Sequence, residues 1–130
     1  MHWVSEGTES TLYGRVGGTP WFTELVERFY RSVESDPVLR PLYPDDLDGP
    51  RQRLTGFLIQ YWGGPADYSA KRGHPRLRMR HFPFAIGTAE RDAWYRLMAE
   101  SVRQGGATSD DEAQLLAYFE YTTNFLVNQA

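Results

Sequence analysis

Apolar residues in this chain recur at three- and four-residue spacing between glycine and proline breaks, with no strict alternation beside a hairpin turn. That pattern commits the chain to helices packed on helices. After Gly17-Gly18, Thr19 suits an N-cap and Pro20 the first helical position, where a missing N–H costs nothing. Phe22, Leu25, Val26, Phe29, Tyr30 and Val33 then share one face until Asp36-Pro37 stops the run. Leu12 and Tyr13 suit a short upstream helix, and residues 37–43 allow one turn. Pro50 opens a second helix with Leu54, Phe57, Leu58, Tyr61 and Trp62 inward, ended by Gly63-Gly64-Pro65. Residues 63–87 hold no sustained period and are expected to be loop, with at most a turn around Leu77 to His81. Thr88 can cap a third helix carrying Trp94, Leu97, Met98, Ser101 and Val102. Ser109 or Asp110 can cap a fourth with Leu115, Leu116, Phe119, Thr122, Leu126 and Val127 inward. The expected class is all-α with four principal helices.

The 130 residues suit one domain, expected over residues 12–130 after a frayed extension at 1–11. A net charge of -3 gives the whole molecule no electrostatic footprint for nucleic acid or anionic lipid. No apolar run is long enough to span a bilayer, and the first residues lack the blocks of a signal peptide, so a cytoplasmic location is expected. With no cysteine, thiolate-bound haem, iron-sulfur clusters and cysteine zinc sites are excluded. Any metal must use His, carboxylate, Tyr or Met. Aromatics are 15% of the residues, more flat apolar surface than a charged scaffold needs, which suggests that something broad packs against them.

Three groups of residues can carry chemistry. His81 stands in Arg78-Met79-Arg80-His81-Phe82-Pro83-Phe84, and a neutral imidazole is a standard axial ligand for haem iron, although a surface histidine fits the same heptapeptide. Lys71, Arg72, Arg76, Arg78 and Arg80 concentrate positive charge, as a solvated loop, a nucleic-acid patch or a partner for ligand carboxylates. Tyr30, Tyr43 and Trp94 place polar-tipped rings on apolar faces, where each needs a hydrogen-bond partner, either a backbone carbonyl or a small polar ligand in the core.

Read in order, Val16-Gly17-Gly18, Arg28-Phe29-Tyr30, Asp36-Pro37-Val38-Leu39-Arg40, Tyr43-Pro44, Gln60-Tyr61-Trp62-Gly63-Gly64-Pro65, Gly73 to His81 and Arg91-Asp92-Ala93-Trp94 resemble a truncated haemoglobin of group II. The resemblance spans Leu12 to Val127. It implies a two-over-two helical sandwich holding haem b (iron protoporphyrin IX), with His81 as the proximal iron ligand flanked by Leu77 and Phe82. It implies a distal polar cluster of Tyr30, Tyr43 and Trp94, walled by Leu54, Phe57 and Leu58, with Phe29 behind and Met98 among the contacts. Arg80, Tyr61, and Arg53 or Arg78 would meet the haem propionates. The usual distal-histidine slot aligns with Pro50, so no imidazole gates there, and proline also removes a backbone donor.

The resemblance further implies binding of O2, NO or CO. Two donors aimed at such a ligand, each worth roughly 0.5 to 1.5 kcal/mol net, slow its release. Slow release suits redox chemistry of O2 with nitric oxide, or of peroxide, more than oxygen transport. The chain has no nucleotide fingerprint to supply electrons, so an unidentified reductase is expected. The non-enzymatic alternative is oxygen storage, scavenging or sensing. Trp21 and Trp3, expected at the surface, leave room for a homodimer.

Overall fold

The computed structural model describes residues 11–72 and 85–128, and every regular element within them is helical. In chain order these are α1 (Leu12–Val16), α2 (Thr19–Glu34), a 3-10 turn (Arg40–Leu42), α3 (Asp48–Tyr61), α4 (Asp67–Arg72), α5 (Thr88–Arg103) and α6 (Ser109–Leu126). The four expected helices are present as α2, α3, α5 and α6. Helix α2 packs on α3 and α5 on α6, while α2 also crosses α5, so that two helix pairs are stacked.

The amphipathic stripe of α2 explains its central place. Phe22, Leu25, Val26, Phe29, Tyr30 and Val33 are all buried, and each such side chain contributes on the order of 1.5 to 3 kcal/mol by leaving water. From α5, Leu97, Met98 and Val102 meet this stripe in one core, joined from α6 by Leu115 and Phe119.

The helices start slightly earlier than the cap residues suggest. The N-cap of α2 is Gly18 rather than Thr19, and α3 begins at Asp48 rather than Pro50. Helix α5 is capped at Gly87, whose N–H donates to the Glu90 carboxylate at 2.8 Å, and α6 by the Thr108 hydroxyl rather than Ser109 or Asp110. Thr11, assigned to the frayed extension, accepts the Gly14 N–H at 3.0 Å and caps α1.

Two expectations are corrected. Residues 67–72 form α4 instead of loop, because Gln60 grips it from α3: its side-chain oxygen accepts the Ser69 N–H at 2.8 Å and its amide donates to Ser69 Oγ at 2.7 Å. Tyr68 is buried with its ring 5.5 Å from that of Phe57. These tertiary anchors hold a helix too short to be stable alone or to announce itself by period. Trp21 is half-buried, not an exposed anchor. It meets Phe22 edge-on, and its indole N–H donates to the Gly105 carbonyl at 2.8 Å, tying α2 to the end of α5.

Candidate functional site

Between the helix pairs lies a cavity of about 470 Å³. Helix α2 contributes Tyr30, the 3-10 segment Tyr43, and α5 Trp94; from α3 come Pro50, Arg53, Leu54, Phe57 and Leu58. All eight belong to the set singled out in the sequence. Phe29 stands behind the wall, fully buried, with its ring 5.1 Å from Tyr30 and 4.9 Å from Trp94. Met98 is fully buried in the core and is not on the cavity wall, and Tyr61 is 52% exposed and also off it. His81, Leu77, Arg78, Arg80 and Phe82 lie outside the described residues, as do His2 and His74.

Sequence reasoning missed part of the wall. Tyr118, Thr122 and Leu126 of α6 line the cavity at four-residue intervals, and Tyr68 joins them from α4. Thr122 and Leu126 carry the helical period; counting back one turn from Thr122 reaches Tyr118. Tyr68 had no comparable signal, because its burial follows from the Gln60 anchor.

The polar part of the wall is a hydrogen-bonded unit. The Trp94 indole N–H donates to the Tyr43 hydroxyl oxygen at 3.2 Å. The Tyr30 hydroxyl is also bonded to that of Tyr43, a bond in which either phenol can be the donor. A phenol oxygen accepts two hydrogens and donates one. One bond between the two phenols uses one of their two hydrogens, and the other is available to a guest in the cavity. Burial pushes the hydroxyls of Tyr30 and Tyr43 above the ordinary phenol range, so both keep their protons at neutral pH.

The rings are fixed from outside. Tyr30 and Tyr43 meet edge to face at 5.5 Å, and the Arg51 guanidinium lies 5.9 Å over the Tyr30 ring. Arg51 is itself held by Glu27 at 2.6 Å and Asp48 at 2.7 Å. Among the described residues no group of three or more His, Cys, Asp or Glu side chains could hold a metal ion. The described walls offer an apolar cavity with one donor-rich side, and all three histidines of the chain lie outside the described residues. No described helix is long and apolar enough to cross a membrane.

The sequence matches the bacterial-like globin family over residues 11–128. It is 38% identical over 112 residues to the group 2 truncated hemoglobin YjbI of Bacillus subtilis, covering 86% of this chain and 85% of that one. Among solved structures, the thermostable hemoglobin of Thermobifida fusca superposes with a TM-score of 0.89 at 50% identity, covering 91% of this chain and 97% of that one. The truncated oxygen-avid haemoglobin of Bacillus subtilis gives a TM-score of 0.86 at 35% identity, over 92% and 100%. By sequence and by fold, the chain belongs to the bacterial-like globins, as a truncated haemoglobin of group II.

Proposed function

We propose that this globin holds haem b in the cavity, binds O2 there with slow release, and uses it in redox chemistry with nitric oxide or peroxide. Membership of the family implies a haem cofactor and small diatomic ligands. When bound, haem supplies an iron that takes up such ligands reversibly and exchanges electrons. The described residues fit this group: the cavity is largely apolar, and one side of it carries the hydrogen-bonded Tyr30, Tyr43 and Trp94 cluster.

The observation that carries the reading is the hydrogen-bonded cluster of Tyr30, Tyr43 and Trp94 on the cavity wall, in which one phenol hydrogen is left over. That hydrogen is suited to a guest in the cavity, and a ligand carrying partial negative charge is held by it. Leu54, Phe57 and Leu58 keep the surroundings apolar, which strengthens that hydrogen bond. Arg53, on the same wall, suits the carboxylates at the macrocycle's edge; Arg78, Arg80 and Tyr61 are further candidates by resemblance, and His81 is the proposed axial ligand. That the Bacillus subtilis neighbour is described as oxygen-avid supports slow release.

Cofactor and ligand are tested together by an absorbance spectrum of the purified protein with and without His81→Gly, in which the parent shows a Soret band that the variant loses or shifts. Oxygen release from Tyr43→Phe should be faster by up to about tenfold, the equivalent of one lost donor near 1.4 kcal/mol. Mixing the oxygen-loaded protein with nitric oxide should give stoichiometric nitrate in a single turnover. If neither nitric oxide nor peroxide reacts, the redox use is wrong and simple oxygen binding remains.

A further inference from the structure

A second concentration of oxidisable rings lies outside the polar cluster. At the end of α3, Tyr61 packs on Tyr118 of α6 with ring centroids 4.2 Å apart and planes 32° from parallel. Trp62 wedges edge-on against both, at 5.1 Å from Tyr61 and 5.5 Å from Tyr118. This pair crosses the protein wall: Tyr61 is 52% exposed, while Tyr118 lines the cavity.

Phenol and indole rings are the side chains here from which one electron can be withdrawn with the mildest oxidants, and rings in contact exchange electrons faster than groups separated by solvent. Burial of the apolar face alone accounts for an aromatic ring at position 118, but it does not account for a phenol half in water stacked on one that faces the cavity. Trp62 is suited to holding the pair rather than to carrying charge. Its indole nitrogen is buried with no hydrogen-bond partner among the described residues, so a positive charge there would be poorly solvated.

We propose that Tyr61 and Tyr118 form a one-electron relay from a small hydrogen-atom donor at the surface, of the phenol, hydroquinone or ascorbate class, to the group bound in the cavity. The proposal rests on the haem reading above. Tyr118, which is only part-buried, gives one electron to the oxidised group in the cavity and its hydroxyl proton to water. The Tyr118 phenoxyl takes an electron from Tyr61 and a proton back by the same route. Tyr61 loses its proton to water, and its phenoxyl takes an electron and a proton from the donor. Two such passages with one hydrogen peroxide as oxidant consume two donors and yield two waters and two donor radicals. Burial pushes the Tyr118 hydroxyl up to about 12, so its electron leaves together with its proton and the relay carries no standing charge.

The test uses the haem-loaded ferrous protein and a photogenerated ruthenium(III) tris-bipyridine oxidant in solution, which needs no peroxide. Phenoxyl absorbance and the Soret band are followed after a flash. The expected result is a phenoxyl transient that decays as haem is oxidised; in Tyr118→Phe the phenoxyl persists, in Tyr61→Phe it is diminished, and haem oxidation slows roughly tenfold in both. Tyr121→Phe, which alters a phenol 72% exposed and outside the pair, should match the parent. Because each variant tests the relay separately, failure of one to fold leaves the other decisive. Haem oxidation at the parent rate in Tyr61→Phe or Tyr118→Phe overturns the relay, and so does a parent with no phenoxyl transient. A parent that passes this test yet never oxidises ascorbate with hydrogen peroxide keeps the relay and loses the peroxide reaction, whereas purified protein without a Soret band overturns both.

Discussion

Because the Trp94 indole N–H already donates to the Tyr43 oxygen, Trp94 acts on a cavity ligand through Tyr43 and not by direct contact. In Tyr43→Phe the indole N–H loses its acceptor and is freed to turn toward the ligand. The effect of Trp94→Phe on oxygen release should therefore be small in the parent and larger in the Tyr43→Phe background. A coupling of about 0.5 to 3 kcal/mol is usual for residues in one network. Stopped-flow release rates of the parent, both single variants and the double variant measure it; strictly additive effects would mean that two donors reach the ligand independently. The sequence made the three polar rings legible as a cluster, since helical period puts Tyr30 inward and the group II resemblance joins it to Tyr43 and Trp94. Who donates to whom was not legible, because that depends on ring orientations set by Phe29 and Arg51 across three elements.

At the scale of elements, the connection between α2 and the 3-10 turn is organised by one carboxylate. Asp36 Oδ1 accepts the N–H groups of Val38 at 2.9 Å and Leu39 at 3.0 Å, and Oδ2 accepts from Arg96 of α5 at 3.1 Å. Leu39 is fully buried and lines the cavity, so this turn delivers the segment that presents Tyr43. Asp36→Ala orphans those donors and should cost about 1 to 3 kcal/mol, read from urea unfolding. The Leu39 amide, then the Val38 amide and Arg96, hold the Asp36 carboxyl below its ordinary value, against the opposing effect of burial. Its folded form thus binds a proton less readily than the unfolded chain. This contribution is complete above the ordinary carboxylate range and is lost as pH falls through the folded value, so Asp36→Ala should flatten the acid side of the stability curve. The turn after α3 is equally exacting. A Cβ at Gly64 would lie 2.6 Å from Ile59 Cγ2 and 2.8 Å from the Tyr13 ring, and Gly64→Ala should lower stability by about 1 to 3 kcal/mol in the same assay. That turn was legible from Gly63-Gly64-Pro65. Helix α4 just beyond it was not, since its stability comes from Gln60 and Tyr68 contacts that no local pattern encodes.

For the molecule as a whole, core and site are one body of side chains: Tyr30 and Phe119 belong to the buried core and also to the cavity wall. The stacked helix pairs were legible because long amphipathic faces carry their own period. The cavity could be inferred only by asking which of those inward faces lacked a partner. This sharing ties pH dependence of stability to the phenols of the site. Burial raises the hydroxyls of Tyr30 and Tyr43, and that of Tyr118 to about 12, against about 10 in an unfolded chain. Below about pH 10 both states keep these protons, and the full stability is present. As pH rises through the interval from about 10 to about 12, the unfolded chain releases protons that the folded chain retains. Stability therefore falls by about 1.4 kcal/mol per pH unit for each such group. Tyr118→Phe removes one of them, so its urea midpoint should decline less steeply than the parent's in that alkaline interval, by about one proton's worth of slope. Oxygen release, by contrast, should be level from about pH 6 to about 9, because the Tyr43 donor keeps its hydrogen throughout. A release rate that climbs with pH within that range would mean that the Tyr43 hydroxyl is far less buried in the loaded protein than the closed aromatic wall requires.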